Sequence, residues 1–341
     1  NTILVTGAAG FIGSHTAQAL LRRGHSVLLV DNLNDYYDVR QKQANLDAVV
    51  VTYHATRATF PQQRIRIAIA DLADTARIEA LFSEEKPAAV IHLAARAGVR
   101  PSLSQPLLYV SVNITATTAL MGFAHQHGCR HFVYASSSSV YGSQRKVPFS
   151  ESDPCDAPAS PYAATKRACE LMAHTYAHLY DLPATGLRFF TVYGPRGRPD
   201  MAPYMFVARA RAGQPIRKYG DGSSCRDYTY IDDIVHGVLA ALDHPAPRKA
   251  EQAAAGVPLA NQTPPAQLFN LGNSDTVSLN EFIAVVERTT GAALAIEPCP
   301  DQPGDVPRTY ADLQRARASL GYAPRVRIEE GMRRFVAWFM T

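Results

Sequence analysis

Short apolar runs alternate with longer amphipathic segments through the first 190 residues of the chain. The apolar runs lie at 2–6, 26–30, 65–70, 88–93, 131–136 and 184–189, and the segments with helical spacing lie at 11–23, about 41–51, 73–84, 106–127 and 160–181. Strands that are almost entirely apolar are typical of a parallel sheet covered by helices on both faces. The pattern therefore predicts an α/β fold built on a doubly wound parallel sheet.

The pattern changes near residue 191, where the elements become shorter and richer in Pro and Gly. Helices are predicted at 203–212, 231–242, 278–290 and 328–340, with a strand at 267–271. Residues 246–266 are rich in Ala and Pro without clear periodicity, and we interpret them as an exposed loop or insertion. We therefore expect a large domain at 1–190 and a smaller C-terminal α/β lobe, mainly 191–341, with an interleaved boundary.

Composition narrows the class of protein. The chain of 341 residues is 47% hydrophobic and 19% charged, which is typical of a globular protein. The net charge is only +4 and no block of Lys and Arg occurs, so we expect neither a nucleic-acid partner nor a membrane. We also see no stretch long enough to span a bilayer and no signal peptide before the first strand. The five cysteines form no C-x-x-C pair, which favours a cytoplasmic location and no metal site.

The first strand is followed by three glycines and a helix. Gly7, Gly10 and Gly13 have the spacing G-x-x-G-x-x-G, and the helical segment continues from Phe11. A strand, a glycine turn and a helix in this order bind the pyrophosphate of a dinucleotide at the helix N-terminus. The second strand ends at Asp31, where a carboxylate hydrogen-bonds the ribose and repels a 2′-phosphate. We therefore predict a Rossmann-type domain that binds NAD rather than NADP.

A serine run and a Tyr–Lys pair carry the candidate chemistry. Four serines from Ser136 to Ser139 close a strand, and Tyr162 and Lys166 lie four residues apart on one helix face. Positive neighbours favour a phenolate, so Tyr162 can act as a general base near neutral pH. By themselves, a Tyr–Lys pair could be surface residues and a serine run could be a turn whose hydroxyls cap the backbone. We expect at least one of the serines to have only that capping role.

These features together resemble the extended short-chain dehydrogenase/reductase superfamily over nearly the whole chain, and most closely its UDP-glucuronate 4-epimerase family. The narrower resemblance rests on Ala97-Gly-Val-Arg100, Arg188-Phe-Phe-Thr-Val-Tyr-Gly-Pro195, Gly197-Arg-Pro-Asp-Met-Ala202, and Gln302-Pro-Gly-Asp305 leading to Thr309-Tyr-Ala-Asp312. The segment Arg226-Asp-Tyr-Thr-Tyr-Ile-Asp-Asp233 resembles the sugar-nucleotide segment of the superfamily.

The resemblance implies a role for each matching residue. It implies Ser137, Tyr162 and Lys166 as catalytic residues. It implies a cofactor site of Gly7, Gly10, Phe11, Ile12, Gly13, Asp31, Asn32, Asp71, Leu72, Leu93, Ala94, Ala95, Asn113, Tyr162, Lys166 and Phe189. It implies a substrate site of Arg100, Ser137, Ser138, Ser139, Tyr162, Thr191, Arg198, Arg226 and Asp305, with Arg198 beside the sugar carboxylate and Arg226 beside the diphosphate.

The implied reaction is NAD-dependent 4-epimerisation of a UDP-uronic acid through a 4-keto sugar. Alternatives are a UDP-glucose/UDP-galactose 4-epimerase, a UDP-glucuronate decarboxylase and a non-catalytic dinucleotide sensor. Related dehydratases and decarboxylases carry a carboxylic acid beside the reactive hydroxyl, where this chain has Ser138 and Ser139. The surplus of apolar positions in the helix at 160–181 predicts a homodimer. Family members differ at Pro101 and Arg196, and we expect Arg196 to add charge near the carboxylate site.

Overall fold

A seven-stranded parallel sheet forms the centre of the computed structural model, which describes residues 1–300 and 306–341. Its strands are β1 (Thr2–Thr6), β2 (Ser26–Asp31), β3 (Ile65–Ile69), β4 (Ala89–His92), β5 (His131–Ser137), β6 (Ala184–Phe189) and β10 (Ala266–Leu271). Their order across the sheet is β10-β6-β5-β4-β1-β2-β3, and neighbouring strands pair in parallel. The predicted doubly wound sheet is confirmed.

The helices lie on both sides of the sheet and in the second lobe. They are α1 (Phe11–Arg22), α2 (Val39–Thr56), α3 (Thr75–Glu85), α4 (Val99–Ser104), α5 (Pro106–Tyr109), α6 (Ala116–Gln126), α7 (Pro161–Tyr180), α8 (Ala202–Ala212), α9 (Ile231–Asp243), α10 (Lys249–Ala254), α11 (Leu279–Thr290), α12 (Gln314–Leu320) and α13 (Ile328–Phe339). A π-helical turn, Val110–Thr115, joins α5 to α6.

Successive residues of each central strand face opposite layers of the core. Ile3 and Val5 belong to a hydrophobic cluster with the residues of α1, α2 and α9, whereas Leu4 belongs to a second cluster with those of α3, α6 and α7. All three side chains are at most 4% exposed. Burial on both faces explains why these strands are continuous apolar runs.

The helical stretch Pro106–Gln126 is long and apolar enough to cross a membrane by length and composition. The expectation that the chain contains no such stretch is therefore wrong. In the structure this stretch packs against α7, and Tyr109, Leu120 and Met121 are buried in it. Apolar length alone thus does not separate a spanning helix from a helix that covers a sheet.

Smaller sheets build the second lobe. Strands β7 (Thr191–Tyr193), β9 (Cys225–Tyr230) and β11 (Thr276–Ser278) form one sheet, and β8 (Ile216–Tyr219) pairs with β12 (Ile296–Cys299). The sequence analysis missed these strands because they have three to six residues, and all but β11 carry charged or aromatic side chains. Strand β10 returns from this part of the chain to the edge of the central sheet, so the two regions share one core.

The stretch 246–266 is more ordered in its secondary structure than we expected. It contains α10 and a 3₁₀ turn, Leu259–Asn261. The backbone N–H of Lys249 donates to Asp181 at the end of α7, and Gln252 is buried. Most of the segment is exposed, as expected for a loop or insertion, but it also contains a helix that is too short to give a periodic pattern in the sequence.

Candidate active site

The glycine turn brings the chain closer to itself than any side chain would allow. Gly7 has a φ of +67°, and a Cβ added at Gly13 would lie 2.0 Å from the carbonyl oxygen of Gly7. The turn is held by Asp31, whose Oδ2 accepts a hydrogen bond from the backbone N–H of Ala9 at 3.0 Å. Its Oδ1 accepts from the backbone N–H of Leu33 at 2.9 Å. Asp31 therefore fixes the turn from the end of β2, while the backbone of Gly10 faces the cavity described next.

A cavity of about 480 Å³ runs from the glycine turn along the C-terminal ends of the central strands. This is the position where open α/β sheets bind ligands. The residues predicted from the sequence that line it are Gly7, Gly10, Phe11, Ile12, Gly13, Asp31, Asn32, Asp71, Leu72, Leu93, Ala94, Ala95, Ser137, Ser138, Ser139, Tyr162, Lys166, Phe189, Thr191 and Arg198. One continuous cavity thus joins the predicted cofactor residues to the predicted catalytic and carboxylate-binding residues.

Ser137, Tyr162 and Lys166 all line this cavity. Ser137 is the last residue of β5, and its Oγ donates to the Oγ of Ser139 at 3.0 Å. Tyr162 lies in the first turn of α7, and Lys166 follows one turn later. The Nζ of Lys166 donates to the carbonyl oxygen of Ala135 at 2.9 Å, so α7 is tied directly to the strand that carries Ser137. Lys166 keeps two further N–H donors for a ligand.

Ser136 hydrogen-bonds to a buried ion pair, Glu170–Arg188, that the sequence analysis missed. Its Oγ donates to Glu170 at 2.6 Å, and Arg188 donates to both carboxylate oxygens of Glu170 at 2.8 Å. Burial opposes the ionisation of Glu170, but the hydrogen bonds and charge of Arg188 outweigh it and hold the carboxyl pKa below its usual value. Glu170 lies four residues after Lys166 on the same helix, which is the spacing that could have revealed it.

Arg198 lies at the far end of the cavity in a cluster of polar side chains. Its guanidinium Nε and Nη2 donate to Asp200 at 3.0 and 2.5 Å. Asp200 Oδ2 also accepts from the hydroxyl of Tyr36 at 3.1 Å, and the Arg198 guanidinium lies 5.5 Å from the centre of the Tyr36 ring. Burial alone would lower the pKa of Arg198, but the hydrogen bonds and charge of Asp200 raise it, so the guanidinium stays charged. The sequence analysis gave no site role to Tyr36 or to Asp200, although Asp200 lies in the motif 197–202.

Among the described residues, three predicted site residues do not line the cavity. Asn113 is buried in the π-helical turn, and its amide bonds the backbone N–H and C=O of Arg96 and the hydroxyl of Thr165. Arg100 stacks on the ring of Tyr219 at 5.1 Å. Arg226 Nη1 donates to its neighbouring carbonyl, that of Cys225, at 2.9 Å. Asp305 lies outside the described residues.

Arg196 lies away from Arg198, against the helices of the cofactor half. Its Nη2 donates to Oε1 of Gln18 in α1 at 2.6 Å, whereas its Nη1 is buried without a partner among the described residues. Gln41 of α2 donates to the carbonyl oxygens of Arg196 and Gly197 at 3.3 and 3.1 Å. The expectation that Arg196 adds charge near the carboxylate site is therefore wrong, because its guanidinium bonds Gln18 of α1 and does not line the cavity that contains Arg198.

Comparison with known proteins agrees with this geometry. The sequence profile of the GDP-mannose 4,6 dehydratase family matches residues 4–335. UDP-glucuronate 4-epimerase 4 of Arabidopsis thaliana is 43% identical over 348 aligned residues, which cover 100% of this chain and 75% of the relative. The chain belongs to the UDP-glucuronate 4-epimerase family.

Solved structures of this family and of a related one have the same fold. UDP-glucuronic acid 4-epimerase from Bacillus cereus, in complex with UDP-glucuronic acid and NAD, superposes with a TM-score of 0.86 at 30% identity, covering 100% of this chain and 99% of that one. UDP-glucose 4-epimerase from Thermotoga maritima, with UDP-glucose, superposes with a TM-score of 0.85 at 30% identity and the same coverage. Fold similarity alone therefore does not separate an acidic from a neutral sugar, and the side chains at the sugar end must do so.

The residues of the cavity fit the NAD that is expected for this family. The N-terminus of α1 presents unpaired backbone N–H groups, and Gly10 and Gly13 leave room for a pyrophosphate against them. Each carboxylate oxygen of Asp31 accepts one backbone hydrogen bond and can accept another from a ribose hydroxyl. Tyr37 also lines the cavity, and its buried hydroxyl has no hydrogen-bond partner among the described residues.

Proposed function

We propose that this protein is an NAD-dependent UDP-uronate 4-epimerase that interconverts UDP-glucuronate and UDP-galacturonate through a 4-keto sugar. The observation that carries the proposal is the shared cavity, which is lined by the glycine turn, by Ser137, Tyr162 and Lys166, and by Arg198. A guanidinium with hydroxyl groups nearby is a suitable receptor for a carboxylate. The names of the similar proteins support the same reaction.

The cofactor would lie along the C-terminal edge of the sheet. The glycine turn and the N-terminus of α1 would hold its pyrophosphate, Asp31 its adenosine ribose and Lys166 its nicotinamide ribose. When bound, NAD supplies a hydride acceptor that becomes the hydride donor in the return step. Ala94 and Ala95 have small side chains, so the backbone there can lie flat against the cofactor.

Tyr162 and Ser137 would take part in transferring the proton of the 4-hydroxyl group. Tyr162 as phenolate accepts that proton when carbon 4 is oxidised, and returns it when the ketone is reduced from its opposite face. The ammonium of Lys166, one helical turn after Tyr162, is held in place by the carbonyl oxygen of Ala135 at 2.9 Å. The hydroxyl of Ser137 donates to the sugar oxygen while charge develops there.

The serine run argues against two competing reactions, dehydration and decarboxylation, which break a C–O bond and a C–C bond. Elimination of water needs a carboxylic acid beside the reactive hydroxyl, and Ser138 and Ser139 occupy those positions. A 4-keto uronate is a β-keto acid and loses CO2 when its carboxylate can rotate freely. A grip on the carboxylate by Arg198, Thr191 and the serine hydroxyls would suppress that loss. Uronate recognition and protection of the intermediate thus belong to the same residues.

Product analysis tests the proposed function. Purified protein is incubated with UDP-glucuronate without added NAD, and the sugar nucleotides are resolved by NMR. UDP-galacturonate is the expected product, and its appearance without added NAD would also show that the cofactor remains bound between turnovers. Conversion of UDP-glucose to UDP-galactose, with no reaction of UDP-glucuronate, would assign the neutral-sugar activity instead. A UDP-pentose as the main product would assign a decarboxylase, and no reaction even with added NAD would favour a sensor.

The enzyme would form a homodimer through the layer that contains α7. Apolar side chains are exposed on this face, including Leu107 at 82%, Leu171 at 54% and Leu179 at 60%. Several large apolar side chains on one face are typical of an interface between subunits. Sedimentation at micromolar concentration should give twice the chain mass, and Leu171→Lys should reduce it to one. A monomeric parent protein would contradict this proposal.

We place the enzyme in the cytoplasm, since its five cysteines are all unpaired. We also propose that residues 1–190 bind mainly the cofactor and residues 191–341 mainly the sugar nucleotide. The return of β10 to the central sheet makes the boundary interleaved rather than a single linker. Separate expression of residues 1–190 should therefore give unfolded protein.

A further inference from the structure

The arginine that would hold the uronate is already paired with a carboxylate of this chain. Asp200 accepts from Nε and Nη2 of Arg198 at 3.0 and 2.5 Å, which is a bidentate pair. The Arg198 side chain is 22% exposed and that of Asp200 is 41% exposed. A substrate carboxylate that enters the cavity therefore meets an ion pair of zero net charge rather than a lone cation.

The geometry of a guanidinium shows which donors remain for the substrate. Asp200 uses the edge formed by Nε and one of the two terminal nitrogens, and the Nη1 group points away from this edge. The cavity around Arg198 also presents the hydroxyls of Ser139 and Thr191. A uronate can then bind through Nη1 and hydroxyl donors without displacing Asp200.

Asp200 is itself held from the cofactor half of the molecule. Its Oδ2 accepts from the hydroxyl of Tyr36 at 3.1 Å, and that hydroxyl also lies 3.0 Å from the carbonyl oxygen of Ala97. Tyr36 follows β2, and Ala97 follows β4. Burial raises the pKa of Tyr36 to about 12, so the hydroxyl remains a donor at neutral pH. The Arg198–Asp200 pair is thus anchored to two loops of the central sheet.

The proposed reaction requires the sugar to release its carboxylate within each turnover. Hydride leaves one face of carbon 4 and returns to the opposite face. The 4-keto sugar must therefore rotate in the site between the two steps. Its carboxylate has to exchange one set of donors for another during this rotation, and a lone buried guanidinium would oppose that exchange strongly. A second carboxylate that stays on the guanidinium removes most of that opposition.

We propose that Asp200 is a positioning residue that serves as the resident counter-ion of Arg198, so that the uronate is recognised by directed donors and can still be released for turnover of the keto sugar. This inference rests on the proposed function. It assigns to Asp200 an effect on both affinity and rate: it weakens the ground-state grip on the carboxylate and speeds the step in which the carboxylate moves. A residue that only shaped the loop would not separate these two effects.

Binding measured without turnover tests the first part. In a Tyr162→Phe background, titration calorimetry compares UDP-glucuronate with UDP, which lacks the carboxylate. Asp200→Asn removes the charge with little change of shape and should tighten UDP-glucuronate about 3- to 10-fold, because the guanidinium regains a net charge. The affinity for UDP should stay within about 2-fold. Unchanged or weaker UDP-glucuronate binding, or an equal change for UDP, would overturn the proposal.

Steady-state kinetics tests the second part in the enzyme with Tyr162 intact. Asp200→Asn should lower KM and lower kcat by a similar factor of about 5 or more, because tight ground-state binding slows a step that needs release. A higher KM with unchanged kcat would overturn the proposal. Asp243→Asn, which removes a carboxylate that pairs with Arg23 at the exposed surface, is the matched control, with affinity expected within about 2-fold of the parent. If Asp200→Asn does not fold, Asp200→Ser is the second variant.

The two proposals fail in different ways. Wild-type protein that makes no UDP-galacturonate contradicts the proposed function whatever Asp200 does to affinity. Wild-type protein that makes UDP-galacturonate, while Asp200→Asn changes neither affinity nor rate, contradicts only the role of Asp200.

Discussion

The two ends of the cavity differ in which atoms form their surface. At the cofactor end the backbone forms the surface, and Gly13 leaves no room for even one added carbon atom, which would lie 2.0 Å from Gly7. At the sugar end charged side chains form the surface, and Arg198 is held by Asp200 and Tyr36 from separate segments. The cofactor end should therefore be sensitive to added volume, and the sugar end to changes in charge.

The largest effect should come from volume at the cofactor end. Gly13→Ala places a Cβ 2.0 Å from the carbonyl oxygen of Gly7, so the glycine turn has to open. We expect protein isolated without bound NAD and without epimerase activity, as measured by absorbance and by NMR product analysis. Gly122→Ala in α6 is the control, because its added Cβ would meet only the hydroxyl of Tyr176 at 3.6 Å. A Gly13→Ala protein with normal NAD content would contradict the importance of backbone volume here.

The next effect should come from the junction between the two ends. Tyr162→Phe removes the general base and should lower kcat by about 10²- to 10⁴-fold, because that is the usual contribution of a positioned proton acceptor. NAD content should not change, since the glycine turn and Asp31 are intact. Tyr109→Phe is the matched control: its ring lies 6.2 Å from that of Tyr162, but its hydroxyl donates to the carbonyl oxygen of Ala97. A comparable loss in Tyr109→Phe would mean that ring packing, not proton transfer, limits the rate.

These two ends also differ in how far sequence alone could predict them. The glycine spacing and Asp31 are local signals: each lies at the end of a strand, and the parallel sheet brings strand ends together. Asp200 and Tyr36 are 164 residues apart in sequence, and nothing local to either indicates a contact. The ion pair between Arg188 and Glu170 was not predicted for the same reason. The position of Glu170 four residues after Lys166 did place it near the site. Arg198 was reached only through family resemblance, since its own surroundings of Gly and Pro indicate a surface loop.

Changing charge at the sugar end should alter selectivity more than cofactor binding. Arg198→Met should raise KM for UDP-glucuronate by about 10- to 100-fold, because a hydrogen bond to a charged group contributes about 1.5–3 kcal/mol. We also expect a UDP-pentose by-product, since the carboxylate of the 4-keto sugar would be free to rotate. NAD content should equal that of the parent protein.

The control for that change is Arg198→Lys, which keeps the charge but loses the bidentate geometry. It should fall between the parent and Arg198→Met in KM and in pentose formation. An Arg198→Met enzyme with normal KM and no pentose would contradict the assignment of Arg198 to the uronate. It would also leave the sugar end without the charge dependence that separates it from the cofactor end.

The smallest effect should come from Arg196, a charged residue that contributes to neither end of the cavity. Its Nη1 is buried without a partner among the described residues, and burial together with the neighbouring Arg22 lowers its pKa to about 10. An under-satisfied buried cation is destabilising, so Arg196→Met should raise the free energy of unfolding by about 1 kcal/mol, visible as a small increase in Tm. Gln18→Met is the paired variant, because it removes the side-chain acceptor that the Arg196 guanidinium has among the described residues and should lower Tm. KM for UDP-glucuronate should change less than about 2-fold in both variants, since the Arg196 side chain packs on α1 and is directed away from Arg198.

A lower Tm in Arg196→Met would show that its guanidinium stabilises the packing of the 194–201 segment on α1. The cofactor end would then depend on charge as the sugar end does.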